Sequence, residues 1–144
     1  MKSYLVDVNV WVALAYDLHV HHTAARNWFE RLGPKQALFC RPTQLAFLRL
    51  LTNPRVMGRD VVSQRQAWRI FDRIMSDARV AFLAEPAGVE AAFRGLTQSP
   101  LPATHSWSDA YLAAVAVTGR LAVATLDQAF AGANGVEVCY LPLA

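Results

Sequence analysis

The sequence predicts an α/β fold, a sandwich of helices around a mainly parallel sheet, in a single domain covering residues 1–144. Three observations lead to this prediction. The length of 144 residues is that of one ordinary domain. The hydrophobic fraction of 54% and the charged fraction of 17% supply a large core and exclude a disordered chain. Short apolar runs alternate with segments of helical periodicity, which is the pattern of strands joined by crossover helices.

The strands are predicted where short apolar runs lie between turn-forming residues. Breaks occur at Gly33-Pro34, Asn53-Pro54, Glu85-Pro86 and Ser99-Pro100-Leu101-Pro102. The predicted strands are Tyr4–Val8, Ala37–Cys40, Val80–Leu83, Leu121–Thr125 and Val136–Cys139.

The helices are predicted from apolar residues that recur every three or four positions and from capping residues at their starts. Asn9 is the expected cap of the first helix, and Thr43 that of the helix that starts at Pro42-Thr43. The first helix is predicted at Val10–Ala15, and the remaining ones at His22–Leu32, Ser63–Met75, Ala87–Leu96 and Ser106–Thr118, with a short one at Gln128–Phe130.

Composition narrows the possible environments and partners. The two cysteines, Cys40 and Cys139, lie far apart without a Cys-x-x-Cys pattern, so we expect buried, reduced thiols. No signal peptide precedes the first strand, and no apolar run is long enough to cross a bilayer. We therefore expect a cytoplasmic protein with no membrane partner. The net charge of +3 permits a nucleic-acid partner. Arginines are concentrated in the middle third, either on solvated helix faces or as contacts to phosphate or an acidic partner.

Three aspartates occupy positions where chemistry is expected. Asp7 ends the first strand, Asp127 follows the fourth, and Asp109 lies in the first turn of the helix before that fourth strand. Ligands of parallel sheets bind beyond the carboxyl ends of the strands. Each residue also has a local explanation: Asp109 favours the positive end of its helix, and Asp127 caps the next one. Asp7 is harder to explain locally, because a carboxylate in an apolar strand is costly unless it is paired or bound to metal.

Clustered carboxylates repel one another, and a divalent cation removes that cost. An all-oxygen ligand set suits Mg²⁺ or Mn²⁺. Such an ion can hold a phosphodiester, polarise its phosphorus and lower the pKa of a bound water that attacks in line. Metal-assisted phosphodiester hydrolysis is therefore the reaction class that the three acids indicate.

Four segments resemble the motifs of the PIN-domain family, in order and over nearly the whole chain. An acid and a small polar residue end the first strand, and the second and third segments are similar to those of the VapC-type toxin branch. The segments are Leu5-Val6-Asp7-Val8-Asn9-Val10, Thr43-Gln44-Leu45-Ala46-Phe47-Leu48-Arg49-Leu50, Ser108-Asp109-Ala110-Tyr111-Leu112-Ala113-Ala114 and Ala124-Thr125-Leu126-Asp127.

This resemblance implies a three-layer α/β/α sandwich that acts as a Mg²⁺- or Mn²⁺-dependent endoribonuclease. It implies Asp7, Asp109 and Asp127 as the metal-binding catalytic acids, with Gln44 completing the pocket. VapC-type proteins are typically homodimeric toxins that a small VapB-type antitoxin inhibits. The antitoxin's C-terminal segment covers the active site and often offers a basic side chain to the acids. The resemblance does not indicate which RNA is cut.

The sequence departs from the family at one position, where Gln44 stands in place of the usual glutamate. A neutral amide does not repel the carboxylates, and its oxygen can still ligate a metal or orient a water. If another acid takes over the missing charge, Asp17 is a candidate. Asn9 and Thr125 match polar positions near the acids and are expected to support them or to hold water, or else to make only local backbone bonds.

The residues expected to contact substrate are Arg41 and Arg49 for the RNA backbone, with His105 and Trp107 close to Asp109. Two rival hypotheses remain. A catalytically silent PIN-like module that binds RNA or a protein is kept open by Gln44. A phosphatase with Asp7 as nucleophile would usually have a second acid two residues later, where this chain has Asn9.

Overall fold

The protein is built on a five-stranded sheet in the order β3-β2-β1-β4-β5, with every neighbouring pair parallel. The computed structural model describes residues 2–102, 107–130 and 135–142. The sheet confirms the predicted parallel α/β architecture. Its strands are β1 (Tyr4–Val6), β2 (Ala37–Phe39), β3 (Val80–Phe82), β4 (Ala122–Thr125) and β5 (Val138–Tyr140).

Helices connect the strands on both faces of the sheet. Between β2 and β3, a 3-10 turn at Gly58–Asp60 follows the fourth helix. The helices are α1 (Val8–Ala15), α2 (His22–Phe29), α3 (Arg41–Leu51), α4 (Pro54–Met57), α5 (Gln64–Met75), α6 (Val89–Leu96) and α7 (Trp107–Gly119).

The core has two parts, one on each face of the sheet, because successive strand residues point to opposite sides. In β1, Val6 packs with residues of α1, α2, α3 and α5, whereas Leu5 packs with α6 and α7. In β4, Ala124 belongs to the same core as Val6, and Val123 belongs to the same core as Leu5. The two cores make three layers, which confirms the α/β/α sandwich.

An aromatic cluster fixes the first helical layer to the sheet. The ring of Phe39 in β2 stacks on Trp11 of α1 at a centroid distance of 3.9 Å. It also meets Phe47 of α3 and Phe71 of α5 edge to face, at 5.7 and 5.0 Å. Truncating a buried ring of this kind typically costs about 3–5 kcal/mol. The cluster therefore holds α3 in a defined position beside the carboxyl end of β1.

The order in which the chain adds strands to the sheet reverses at β1. The chain leaves β1 towards β2 and β3, then crosses to the other side of β1 to form β4. The crevice at such a reversal, beyond the carboxyl ends of the strands, is where parallel sheets bind ligands. Asp7 follows β1 and Thr125 ends β4, so both lie at this point.

Several predicted boundaries were wrong, mainly because side-chain capping differs from the expected pattern. Val8 is the first residue of α1, since Asp7 rather than Asn9 is its cap. The cap of α3 is Cys40, and the Thr43 hydroxyl instead accepts a hydrogen bond from the Cys40 backbone N–H at 3.0 Å. The segment Gln128–Phe130 forms a turn and not a helix.

The other ends differ by a few residues. Helix α6 starts at Val89 because Gly88, with φ +88°, forms the turn before it. Helix α2 ends at Phe29, three residues earlier than predicted, and β5 starts two residues later, at Val138. The short helix α4, capped by Asn53, was not predicted.

Both cysteines are free thiols, as predicted. Cys40 is buried, while Cys139 is half-buried, and burial raises the pKa of the Cys139 thiol. Within the part of the chain that the structure describes, no helix is both long enough and apolar enough to span a bilayer.

Candidate active site

Asp7 is positioned by the junction between β1 and α1. Its backbone N–H donates to Ala124 O of β4 at 2.9 Å, continuing the ladder that pairs Val6 with Ala124. Its side-chain Oδ1 accepts the Val8 N–H at 2.8 Å and so caps α1. The strand and the helix together hold the Asp7 carboxylate at the carboxyl edge of the sheet.

The buried hydroxyl of Thr125 connects the two neighbouring strand ends. Its Oγ1 donates to Asp7 Oδ2 at 2.8 Å and accepts the Asp127 backbone N–H at 3.0 Å. Thr125 is fully buried, so these bonds are protected from water. The same hydroxyl therefore fixes the Asp7 side chain and the start of the segment that carries Asp127.

Asn9 makes the third connection. Its Nδ2 donates to Asp7 Oδ2 at 3.4 Å and to Thr125 Oγ1 at 3.3 Å, and its Oδ1 accepts the Leu126 N–H at 3.1 Å. Asn9 thus contacts Asp7 directly, besides tying α1 to the chain beyond β4. Thr125 also contacts Asp7 directly, so neither residue makes only local backbone bonds.

The electrostatics of Asp7 show a carboxylate that lacks sufficient compensation. Burial raises the pKa of Asp7, and the charge of Asp127 raises it further. The hydrogen bonds from Thr125 and Val8 act in the opposite direction but are outweighed. This site would gain from a nearby cation.

Asp127 is exposed and follows the carboxyl end of β4, outside the residues that line the cleft in front of Asp7. Its Oδ1 accepts the Ala129 N–H at 2.9 Å, which stabilises the turn after β4. The Asp127 side chain therefore bonds the backbone that follows it, as the local explanation expected, but it closes a turn and does not cap a helix. Asp127 is still close enough to influence the ionisation of Asp7.

Asp109 lies in the first turn of α7, as predicted, and is partly buried. Helix α7 packs on β1 and β4, and the neighbouring Ser108 lines the same cleft as Asp7. The start of α7 therefore lies beside the cleft, although Asp109 itself is not among the residues that line it.

A cleft of about 600 Å³ opens in front of Asp7, between α3 and α7. One wall carries the cationic side chains of Arg41 and Arg49, both exposed. Neither forms an ion pair with a carboxylate in the described ranges. The remaining lining residues are Val8, Pro42, Thr43, Leu45, Ala46, Phe93, Trp107, Ser108, Tyr111 and Leu112.

The family model of the PIN domain matches residues 4–135 of this sequence. The chain belongs to the PIN-domain family. Among its relatives is ribonuclease VapC41 of Mycobacterium tuberculosis, which is 42% identical over 139 residues, covering 93% of this chain and 95% of VapC41. Ribonuclease VapC25 of the same organism is 32% identical over 133 residues, covering 89% and 91%. These relatives place the chain in the VapC-type branch of the family.

Solved structures agree on the fold. Mycobacterium tuberculosis VapC20, described as a sarcin-ricin loop cleaving toxin, matches with a TM-score of 0.67 at 22% identity, covering 94% of this chain and 99% of that one. VapBC2 of Rickettsia felis, bound to a DNA fragment from its promoter, matches with a TM-score of 0.68 at 11% identity, covering 98% and 100%. Both support the three-layer PIN architecture.

The acids of this PIN domain do not form a ready-made cage for a metal ion. In the described ranges, no three His, Cys, Asp or Glu side chains are gathered closely enough to hold one. Mg²⁺, however, typically binds through one or two carboxylates and keeps several waters. The carboxylate oxygens of Asp7 and Asp127, with the raised pKa of Asp7, fit such an ion. That Asp7, Asp109 and Asp127 share one ion stays a prediction.

Gln44, at the position where the family usually has glutamate, is buried in α3 with 6% of its surface exposed. Its Oε1 accepts a hydrogen bond from Arg41 Nη1 at 2.5 Å. Gln44 is not among the residues that line the cleft, so its predicted part in completing the pocket is not visible in this geometry.

Asp17 cannot replace the missing charge. It is exposed and follows the C-terminal end of α1, whereas Asp7 caps the other end. At 1.5 Å per residue, the intervening helix separates the two by roughly 12 Å or more. Among the predicted substrate contacts, Arg41, Arg49 and Trp107 line the cleft, while His105 lies outside the described residues.

The aromatic wall of the cleft was only partly predicted. Trp107 is 52% exposed and meets Phe93 of α6 edge to face at 5.9 Å, and Phe93 meets Tyr111 at 5.6 Å. The Tyr111 hydroxyl donates to Glu85 Oε1 at 2.7 Å. Burial and the Glu85 bond raise the pKa of Tyr111, so its phenol stays protonated. The four-residue spacing from Trp107 could have indicated Tyr111, but Phe93 lies on a different helix and had no such signal.

Proposed function

We propose that this protein is a VapC-type endoribonuclease that hydrolyses RNA phosphodiesters with Mg²⁺ or Mn²⁺ and acts as the toxin of a toxin–antitoxin pair. The observation that carries the proposal is the cleft that Asp7, Arg41 and Arg49 line together, in which burial and the charge of Asp127 raise the pKa of Asp7 and the two arginines form no ion pair with a carboxylate of the described ranges. An anionic polymer and a divalent cation together complement that charge pattern. Relatives spanning nearly the whole chain are named ribonucleases, and the VapC20 structure is described as an RNA-loop-cleaving toxin.

The residues that would hold the cation are Asp7 and Asp127, joined by Asp109 from α7. When bound, the ion would supply Lewis-acid polarisation of the phosphodiester and a water of lowered pKa. Thr125 and Asn9 keep Asp7 in place through their hydrogen bonds to Oδ2. Supporting bonds of this kind hold ligands in orientation in metal sites generally.

The walls of the cleft would bind the RNA on either side of the acids. Arg41 and Arg49 face the cleft from α3 and would contact backbone phosphates. Trp107 presents an exposed ring from α7, supported from behind by Phe93, and would stack on an unpaired base. This division, with phosphates on α3 and a base on α7, favours single-stranded or loop RNA, whose bases are free to stack.

The proposed partner is a small VapB-type antitoxin, with a homodimer of this chain as the other assembly. Solved structures with the same fold include a VapBC2 assembly from Rickettsia felis and a toxin–antitoxin complex from Klebsiella pneumoniae. An antitoxin segment that presents a basic side chain to Asp7 would relieve the same uncompensated charge as a metal ion. It would thereby exclude both the cation and the RNA.

The test is cleavage of a mixed RNA pool by purified, antitoxin-free protein with Mg²⁺ or Mn²⁺. We expect metal-dependent cutting that is lost on addition of a chelator. Asp7→Asn and Asp109→Asn should abolish the cutting while leaving the fold intact. Asp17→Asn is the matched control, because it removes the same charge from an exposed position at the far end of α1, and it should cut normally.

Three results would contradict the proposal. Full activity of Asp7→Asn would exclude that residue from the reaction. Folded wild-type protein that binds RNA but does not cut a broad pool would favour the silent binding module. Turnover of small phosphate esters without RNA cleavage would favour the phosphatase hypothesis.

A further inference from the structure

Gln44 and Arg41 form a pair on one face of α3. They are three positions apart, which brings side chains together on a helix. Arg41 Nη1 donates to Gln44 Oε1 at 2.5 Å. Gln44 is buried, whereas Arg41 is exposed and lines the same cleft as Asp7. The buried amide therefore holds a guanidinium that belongs to the cleft wall.

A second contact restrains Arg41. Its guanidinium carbon lies 4.8 Å from the centre of the Phe82 ring at the end of β3. A cation over an aromatic face is attracted to it without losing its charge. Both contacts of Arg41 are therefore with neutral groups, and no carboxylate in the described ranges forms an ion pair with it.

The neutrality of Gln44 matters at this distance. A glutamate in the same place would form a charge-assisted bond with Arg41 and cancel most of its positive charge. The guanidinium would then be a poor ligand for phosphate, because its charge would already be paired. A glutamine keeps the hydrogen bond and leaves the charge free.

We propose that Gln44 is a positioning residue, whose neutral side chain fixes the Arg41 guanidinium in the cleft and leaves its charge available for an RNA phosphate. This inference rests on the proposed ribonuclease function and assigns Gln44 to substrate binding and not to the metal. Compared with a glutamate at position 44, the glutamine gives up one carboxylate and leaves Arg41 able to make a stronger contact with phosphate.

The first experiment measures RNA binding without cleavage. The probe is a short, labelled single-stranded RNA of mixed sequence, titrated by fluorescence anisotropy in the presence of a chelator. Gln44→Glu should weaken binding roughly ten- to a hundredfold, the usual size of a lost hydrogen bond to a charged group. The slope of log affinity against log salt should fall by about 0.7, the value for one phosphate contact on a single strand.

Two further tests distinguish a positioning role of Gln44 from a purely structural one. Gln44→Met keeps the shape but removes the acceptor, and it should weaken binding several-fold because Arg41 regains rotamer freedom. In an Arg41→Met background, neither Gln44 variant should change the affinity further, since residues that act through one another are not additive. Gln66→Glu is the matched control, because it adds the same charge at an exposed position of α5 where glutamate also completes a capping box.

A third measurement addresses the metal. Mn²⁺ binding to metal-free protein, followed by electron paramagnetic resonance, should be unchanged in Gln44→Glu. Tighter Mn²⁺ binding in that variant would overturn the inference, since it would place position 44 in the metal site. Unchanged RNA affinity in Gln44→Glu and Gln44→Met, or additivity with Arg41→Met, would overturn it as well. Because binding is measured without metal, absence of cleavage in the separate RNA-pool assay would count against the proposed function and not against this pairing.

Discussion

Replacing Thr125 by valine removes a single hydroxyl from the centre of the site while keeping the shape of the side chain. That hydroxyl donates to Asp7 Oδ2 at 2.8 Å and accepts the Asp127 N–H at 3.0 Å and the Asn9 Nδ2–H at 3.3 Å. In Thr125→Val, the 3.4 Å contact with Asn9 is the one side-chain hydrogen bond that this Asp7 oxygen keeps among the described residues. The Asp127 N–H has no replacement acceptor on the new side chain.

The expected destabilisation follows from these losses. A hydrogen bond to a charged group contributes about 1.5–3 kcal/mol and a neutral one about 1 kcal/mol. Thr125→Val should therefore lower the free energy of unfolding of the metal-free protein by roughly 2–4 kcal/mol. At about 2–4 °C per kcal/mol, this corresponds to a fall in Tm of roughly 4–16 °C. In the wild type, the hydrogen bond from Thr125 lowers the pKa of Asp7. The pKa of Asp7 should therefore be higher in Thr125→Val than in the wild type.

The assay is thermal and denaturant unfolding in a chelator, followed by RNA cleavage with Mg²⁺. Thr125→Ser keeps the hydroxyl and should lose only about 1 kcal/mol, for the missing methyl group. Thr118→Val is a second control, because within the described part of the chain its hydroxyl bonds a single atom, Ala114 O one turn back in its own helix. If Thr125→Val were as stable as Thr118→Val and cleaved RNA normally, the hydroxyl could not be what holds Asp7.

Two further predictions concern the aromatic wall and the acid stability of the fold. Trp107→Ala should raise the KM for single-stranded RNA roughly tenfold with little change in kcat, since stacking on one base contributes about 1–3 kcal/mol. Trp68→Ala, which removes a ring that is similarly exposed at 48% but lies outside the cleft, should leave KM unchanged, and equal effects would refute the stacking role. Arg79 holds the pKa of Asp77 below its usual range, so this pair stabilises the fold above pH about 4 and the contribution is lost as the pH falls through the lowered pKa. Denaturant unfolding should therefore show a smaller loss of stability from pH 5 to pH 3 in Asp77→Asn than in the wild type, and identical losses would exclude the pair.

The fold could be predicted from the sequence because its signals are local and repeated. Alternating apolar runs and helical periodicity indicated all five strands, and the acids after the first and fourth strands indicated the edge of the sheet that carries the site. The errors occur where one side chain decides a helix end. Asp7 takes the capping role expected of Asn9, which frees the Asn9 side chain to bridge Asp7, Thr125 and Leu126.

The site was harder to predict where residues meet across elements. Phe93 reaches the cleft only because α6 packs against α7, a contact that no sequence spacing indicates. Glu85, which accepts the Tyr111 hydroxyl, precedes a proline in a connecting segment and has no pattern that marks it. The three-residue spacing of Arg41 and Gln44 could have indicated that the two side chains meet on α3. That Gln44 accepts a hydrogen bond from Arg41, however, depends on which side of α3 is buried, and the spacing does not show this.

The geometry of Gln44 also bears on whether this PIN domain is catalytically silent. The argument for silence is that a missing glutamate leaves the metal with too few ligands. If Gln44 positions Arg41, that argument weakens, because Mg²⁺ needs only one or two carboxylates and Asp7 and Asp127 already interact. The site would then depend less on position 44 for its metal and more on the hydrogen bonds that keep Asp7 aimed at the cleft. On this view Thr125, and not Gln44, is the residue besides the acids whose loss should cost the most activity.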